Sequence, residues 1–239
     1  MTRSCKFCGA TKPLVKAHIV PEGFFRRQRS GGPALKMLTN APGVHPKKSP
    51  VGEYDDGILC QECENVFGPW DDYAQKLITE ENLKEAELRK AGHVVGYRLD
   101  NYDYKLLKLF FLSVAWRASV SERPFYRRVH LGSHERRILV MLKADDPGSV
   151  SDYGVSLAHF TDQYGGVILD PHPERWDGVN YLRFYFGGLV AYVKVDQRGA
   201  HWLHKSLLME PGKPLNIVGR TMANSKEFGI IKKIVRGNG

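Results

Sequence analysis

The chain has 239 residues, 42% apolar and 26% charged, the make-up of an ordinary globular protein with one large domain or two small ones. No stretch approaches the roughly 20 apolar residues of a membrane helix. Met1 to Ala10 lacks the apolar core of a secretory signal, so a cytoplasmic protein is expected. The formal charge of +9 is concentrated: residues 1–52 hold ten Lys and Arg against one acid, Glu22, while the remainder balances.

The four cysteines form two C-x-x-C pairs, Cys5–Cys8 and Cys60–Cys63. With no sign of export, disulfides are not the expected use of these thiols. Two such knuckles match the tetrathiolate pattern of one structural zinc ion, and Gly9 suits the positive-φ position that follows such a turn. Closing the long intervening loop costs a few kcal/mol, whereas structural zinc returns on the order of 10 kcal/mol. A redox dithiol and two unrelated thiol pairs are the other readings.

From Gly31 to Gly57 the chain is punctuated by Pro33, Pro42, Gly43, Pro46, Pro50 and Gly52, so most of it is expected to be loop. The surrounding cations Lys16, Arg26, Arg27, Arg29, Lys36, Lys47 and Lys48 are candidates for contact with nucleic-acid phosphates. A solvated basic loop is the alternative. Residues 1–75 are read as one unit and 76–239 as an α+β body, helical over 76–147 and β-rich over 150–239.

In the body, acid-rich early turns and a basic end predict a helix from Asp71 to Lys90. An apolar stripe through Leu106, Leu107, Phe110, Phe111, Val114 and Ala115 predicts another over Tyr104 to Ser121, with Trp116 and Arg117 read as packing residues. Ser133 is expected to cap a third, ending at Ala144. Tyr181–Phe186 and Leu189–Val195 flank Gly187-Gly188, a hairpin signal. Further strands are expected at Val155–Phe160, Val167–Leu169, Ala200–His204 and Leu215–Val218, and a helix at Ser225–Val235. His201 and His204 carry little weight as a second metal site.

Between the knuckles stands Ala17-His18-Ile19-Val20-Pro21. This step, bracketed by two C-x-x-C pairs, resembles the HNH (His-Me finger) endonucleases over residues 5–68. Leu59-Cys60-Gln61-Glu62-Cys63-Glu64 and Ala115-Trp116-Arg117 also resemble uncharacterised bacterial zinc-knuckle members. The resemblance implies a zinc-stabilised ββα-metal module at the N-terminus, which with the central helices and C-terminal antiparallel strands read above makes an α+β protein. It implies His18 as general base and a catalytic Mg²⁺ or Mn²⁺ near Glu64. Asp71, seven residues on, is a further candidate ligand beside Asp72, although Gly68-Pro69 is expected to interrupt that helix. The substrate would be DNA or RNA. The family's metal-binding residue before the histidine is here Ala17, and its histidine after the last cysteine is Glu64. The alternatives are a non-catalytic zinc-dependent nucleic-acid-binding protein and a structural adaptor.

Overall fold

The computed structural model describes residues 3–26, 36–38, 47–48, 52–162, 167–223 and 225–236. The fold is mixed α+β with the four cysteines clustered near the N-terminus. Among the described residues, no helix is long and apolar enough to cross a membrane.

Among the described residues, the elements before the first long helix of the N-terminal region are short. Strand β1 (Ala17–His18) pairs antiparallel with β4 (Tyr54–Asp55), and a single helical turn, α1 (Gly23–Arg26), follows β1. Strands β2 (Lys36–Leu38) and β3 (Lys47–Lys48) lie within the loop between the knuckles. Helix α2 (Gln61–Leu77) then starts directly after Cys60. The helix expected from Asp71 therefore begins ten residues earlier and runs through Pro69 without a break. Its buried face, Phe67, Trp70 and Ala74, docks on the neighbouring helix, and this packing outweighs the lost backbone donor at Pro69. Helix α2 stops at Ile78 because Thr79 caps a separate turn, α3 (Glu80–Glu85), its side chain accepting from the Asn82 amide at 3.0 Å. The last residues of the expected helix are a strand, β5 (Glu87–Lys90), turned into β6 (His93–Leu99) through Ala91 and Gly92, both at positive φ.

Helix α4 (Tyr104–Val120) is the centre of the molecule. Asp103 caps it, and every residue from Leu107 to Ala118 is buried. It is thus enclosed on all sides, not amphipathic, and Lys108, Ser113 and Arg117 are buried with it. Burial lowers the Lys108 ammonium to about 8, and the group donates to the Ser149 carbonyl and the Tyr104 hydroxyl. Helix α5 (His134–Lys143) packs on α4. Ser133 has helical dihedrals and makes no side-chain capping bond, so it is not the expected cap. Glu135 instead accepts from the Ser119 hydroxyl at 2.7 Å.

The body's sheet has seven strands in the order β5-β6-β12-β7-β11-β10-β9. Here β7 is Val155–Phe160, β9 His172–Trp176, β10 Val179–Phe186, β11 Leu189–Lys194 and β12 Leu215–Arg220. The β10–β11 hairpin turns at Gly187 and Gly188, both at positive φ, as that dipeptide predicts. The sheet is not wholly antiparallel: β12 enters between β6 and β7 and runs parallel to β7. Strand β8 (Val167–Leu169) leaves this sheet and pairs in parallel with β2 of the N-terminal region. Ala200–His204 is not a strand; α6 (Trp202–Lys205) forms there, capped by His201. Helix α7 (Lys226–Arg236) ends the described chain. One apolar cluster runs from Cys5 to Met222, so the N-terminal region and the body share a core.

Candidate metal centre and histidine site

The two knuckles are stitched together by backbone bonds before any metal is considered. In the first, the Gly9 amide donates to the Cys5 carbonyl at 2.8 Å and Gly9 sits at φ +81°. The Lys6 amide reaches the Ile58 carbonyl at 2.8 Å and the Val15 amide reaches Leu59 at 2.9 Å, tying the knuckle to the strand-like run before Cys60. Cys60 is the N-cap of α2, which places Cys63 in the first turn. The four Sγ atoms lie within 4.8 Å of one another, and Cys8 and Cys60 are 4.0 Å apart. Four sulfurs about 2.3 Å from a tetrahedral ion would be separated by about 3.8 Å, so the set is close enough to hold one metal ion. Among the described residues, no other group of His, Cys, Asp or Glu converges in this way.

The electrostatics favour thiolates at one end of the cluster. Burial pushes the Cys5 thiol up, but the backbone amides of Cys8, Cys60 and Phe7 more than offset it and leave the group at about 7. Burial holds Cys60 and Cys63 above their ordinary value. A bound cation would reverse that shift, because a coordinated thiol is deprotonated. Phe7, inside the first knuckle, packs edge-on against Phe67 of α2 and Trp116 of α4. That ring joins the centre to the core, in which Cys5, Cys60 and Cys63 are themselves buried.

His18 lies at the end of β1, one residue after Ala17, whose side chain is fully buried. Strand alternation turns the half-buried His18 ring to the opposite face, edge-on to Tyr54 with centroids 6.3 Å apart. Both backbone groups of His18 are held by other elements. Its amide hydrogen-bonds the Glu64 carboxylate in the first turn of α2. Its carbonyl accepts from Arg117 Nη1 of α4 at 2.7 Å. Glu64 Oε2 is buried and has no hydrogen-bond partner among the described residues. Burial raises the Glu64 carboxyl, Arg117 opposes the shift and Asp71 adds to it.

Asp71 lies two turns further along α2 on the Glu64 face, as helical spacing predicts. Both its oxygens are engaged by Arg117, at 2.7 and 2.9 Å, so the residue expected as a metal ligand is the counter-ion of a buried guanidinium. Asp72 is exposed. Arg117 also donates to the Ser113 hydroxyl at 3.0 Å and stacks over Phe67. Read from sequence as a packing residue, it is the group that joins α4, α2 and β1 behind His18. The signal for this role was available: a buried arginine needs a carboxylate, and an arginine within the apolar run of α4 has to find one on a neighbouring element.

Of the candidate phosphate-binding residues, Lys16 is exposed on the approach to β1, its ammonium 5.2 Å from the centre of the Tyr54 ring. Arg27 and Arg29, and the side chains of Arg26, Lys36, Lys47 and Lys48, lie outside the described residues. Among the described residues, His201 and His204 belong to no convergent group of three or more metal ligands. His201 pairs with Asp177 at 2.9 Å and His204 with Ser156 at 2.6 Å. No protein-family model, curated protein or solved structure matches this chain.

Proposed function

We propose that the N-terminal region is a zinc-stabilised ββα-metal module of the HNH type, and that it hydrolyses phosphodiester bonds in DNA or RNA. The observation that carries this reading is the Glu64 carboxylate. It leaves the helix directly after the second knuckle, turns back to the His18 amide and keeps one buried oxygen without a partner among the described residues. Such an oxygen is costly to bury unless a cation or donor satisfies it. A hard carboxylate suits Mg²⁺ or Mn²⁺, while the four thiolates suit zinc. When bound, the divalent ion would offset charge on the scissile phosphate.

The chain's own residues divide the remaining work. The His18 imidazole, of a type that titrates near neutrality, takes the proton of the attacking water. Its main chain is clamped between Glu64 and Arg117, which limits its freedom relative to the substrate. Lys16, two residues before it, contributes positive charge to the approaching phosphate backbone.

One observation favours a second reading, a zinc-dependent nucleic-acid-binding module without hydrolysis. Ala17 offers no ligand and Asp71 is taken by Arg117, so among the described residues no second free carboxylate joins Glu64 in a metal site. Cleavage of plasmid and single-stranded substrates with Mg²⁺ and Mn²⁺ separates the two. On the nuclease reading, His18→Ala loses about 10²–10⁴ in rate with binding nearly unchanged, and Glu64→Ala raises the divalent ion needed. Salt-sensitive binding with no cleavage under either ion establishes the binding module. Variants that cut as well as the wild type place the chemistry elsewhere.

A further inference from the structure

The positive charge of the chain has a second concentration, outside residues 1–52. Arg123 to Lys143 holds six Lys and Arg against one acid, Glu135, and the rest of residues 53–239 carries the opposite excess. The segment is the connection from α4 to α5 together with α5 itself. Its acid is turned to the Ser119 hydroxyl. Among the described residues, Arg127, Arg128, Arg136, Arg137 and Lys143 make no salt bridge, although the surrounding body is acidic on balance. All but the half-buried Arg128 are exposed.

Both ends of this segment are fastened to the N-terminal region. At its start, Ser121 donates to Asp55 at 2.7 Å and Arg123 to Asp56 at 2.8 Å, beside the β4 strand that pairs with Ala17 and His18. At its end, the Lys143 ammonium stands 5.7 Å from the centre of the Phe7 ring in the first knuckle. Along α5, Arg136, Val140 and Lys143 follow at spacings of four and three, so they share one exposed stripe, with Arg136 and Lys143 about 10 Å apart along the axis. Arg137 lies next to that stripe, its guanidinium donating to the Tyr153 hydroxyl, which also meets His134 Nδ1 at 3.1 Å. Arg136 and Arg137 line an open cleft of about 780 Å³ between α5, the turn before β7 and the turn after β11. The two acids of the cleft do not offset them: Asp196 is engaged by Arg198, and Asp152 accepts from Ser149.

We propose that Arg127, Arg128, Arg136, Arg137 and Lys143 form a second phosphate-binding face, which holds the backbone of the nucleic acid that approaches His18. This rests on the nucleic-acid part of the function proposed above and not on hydrolysis. Unpaired cations spread over the two turns from Arg136 to Lys143 and the loop before them suit a chain of phosphates better than a single small anion. Arginine, four of the five, presents a planar fork that matches phosphate oxygens. Contacts of this kind position the polymer without reading its sequence.

The test is the salt dependence of binding by the full chain, metal-loaded, to a short duplex of mixed sequence and to its single strand, read by fluorescence anisotropy. Each phosphate contact contributes about 0.9 to the slope of log K against log salt on duplex and about 0.7 on a single strand. Arg136→Gln with Arg137→Gln is therefore expected to reduce the duplex slope by about 1.8, and Lys143→Gln by about 0.9. These positions are exposed, so the melting temperature should hold. Arg89→Gln with Arg98→Gln removes the same charge from β5 and β6, where both side chains are exposed, and should leave the slope unchanged. The face is overturned, with the proposed function left standing, if the wild type binds and the Arg136, Arg137 variant keeps its slope. It is overturned as well if the β5 and β6 variant loses as much slope, because net charge then acts in place of this surface. Polyglutamate binding as tightly as the duplex would assign the face to an acidic polypeptide instead. No binding of either strand form by the wild type at about 50 mM salt overturns both this face and the proposed function.

Discussion

Strands β1 and β4 pair over two residues, whereas β10 and β11 pair over six, from Tyr181↔Lys194 to Phe186↔Leu189. Every residue of β11 is buried, and that strand also pairs with β7 on its other side. Among the described residues, the N-terminal region has no comparable sheet. What positions His18 is a four-cysteine cluster on one side and the Arg117–Asp71 pair on the other. Both regions share one apolar core, and the N-terminal region adds to it a cysteine cluster and a buried ion pair in place of long strand pairing. Loss of either polar feature should be more severe there than loss of one apolar contact in the body.

The largest expected effect is loss of the metal. Cys63→Ser, or chelation, removes on the order of 10 kcal/mol of binding energy from the N-terminal region. Amide exchange should accelerate throughout α2 and β1 while β7, β10 and β11 stay protected. Equal loss of protection in both regions would show that the shared core makes them one cooperative unit.

Next is Arg117. Arg117→Met strands the Asp71 carboxylate in a site where its side chain is only 13% exposed. Breaking one partner of a buried pair costs about 3–5 kcal/mol. The double change Arg117→Met with Asp71→Leu should recover much of that in chemical denaturation. On the nuclease reading it should not recover cleavage, because the His18 carbonyl loses its donor as well.

In the body, Leu182→Ala should cost about 2–5 kcal/mol by cavity formation. Its effect on metal binding by the four cysteines should be negligible, which sharpens the contrast with the N-terminal region.

The smallest effect is on pH dependence. The Arg198 side chain holds the Asp196 carboxyl below its ordinary value, against the opposing effect of burial, with the Arg198 and Asn180 amides assisting. A depressed folded pKa contributes stability that is present above the unfolded value near 3.9 and is lost as the pH falls through the folded value. Asp196→Asn should therefore lower stability at pH 6 and shrink the difference between pH 6 and pH 3. Identical pH profiles for the two proteins would remove this contribution.

The cysteines were legible because a metal site writes itself into local spacing, and the Gly187-Gly188 hairpin because positive φ demands glycine. Strand β7 and helix α4 were legible in their bounds from short-range pattern alone. Helix α2 was not: Pro69 argues locally for a break, and only docking on α4 overrides it. The short α6 (Trp202–Lys205) was missed as well, since four residues behind a histidine cap carry no period that separates a strand from a turn.

By itself, then, the sequence determined which thiols could share an ion and where the long apolar helix runs. These depend on neighbours a few residues apart. The tertiary structure decided that Asp71 answers Arg117 instead of standing free beside Glu64, and that the segment from Arg123 to Lys143 meets Asp56 at one end and Phe7 at the other. Those partners are separated by tens of residues and meet through packing and charge compensation, which no local pattern encodes.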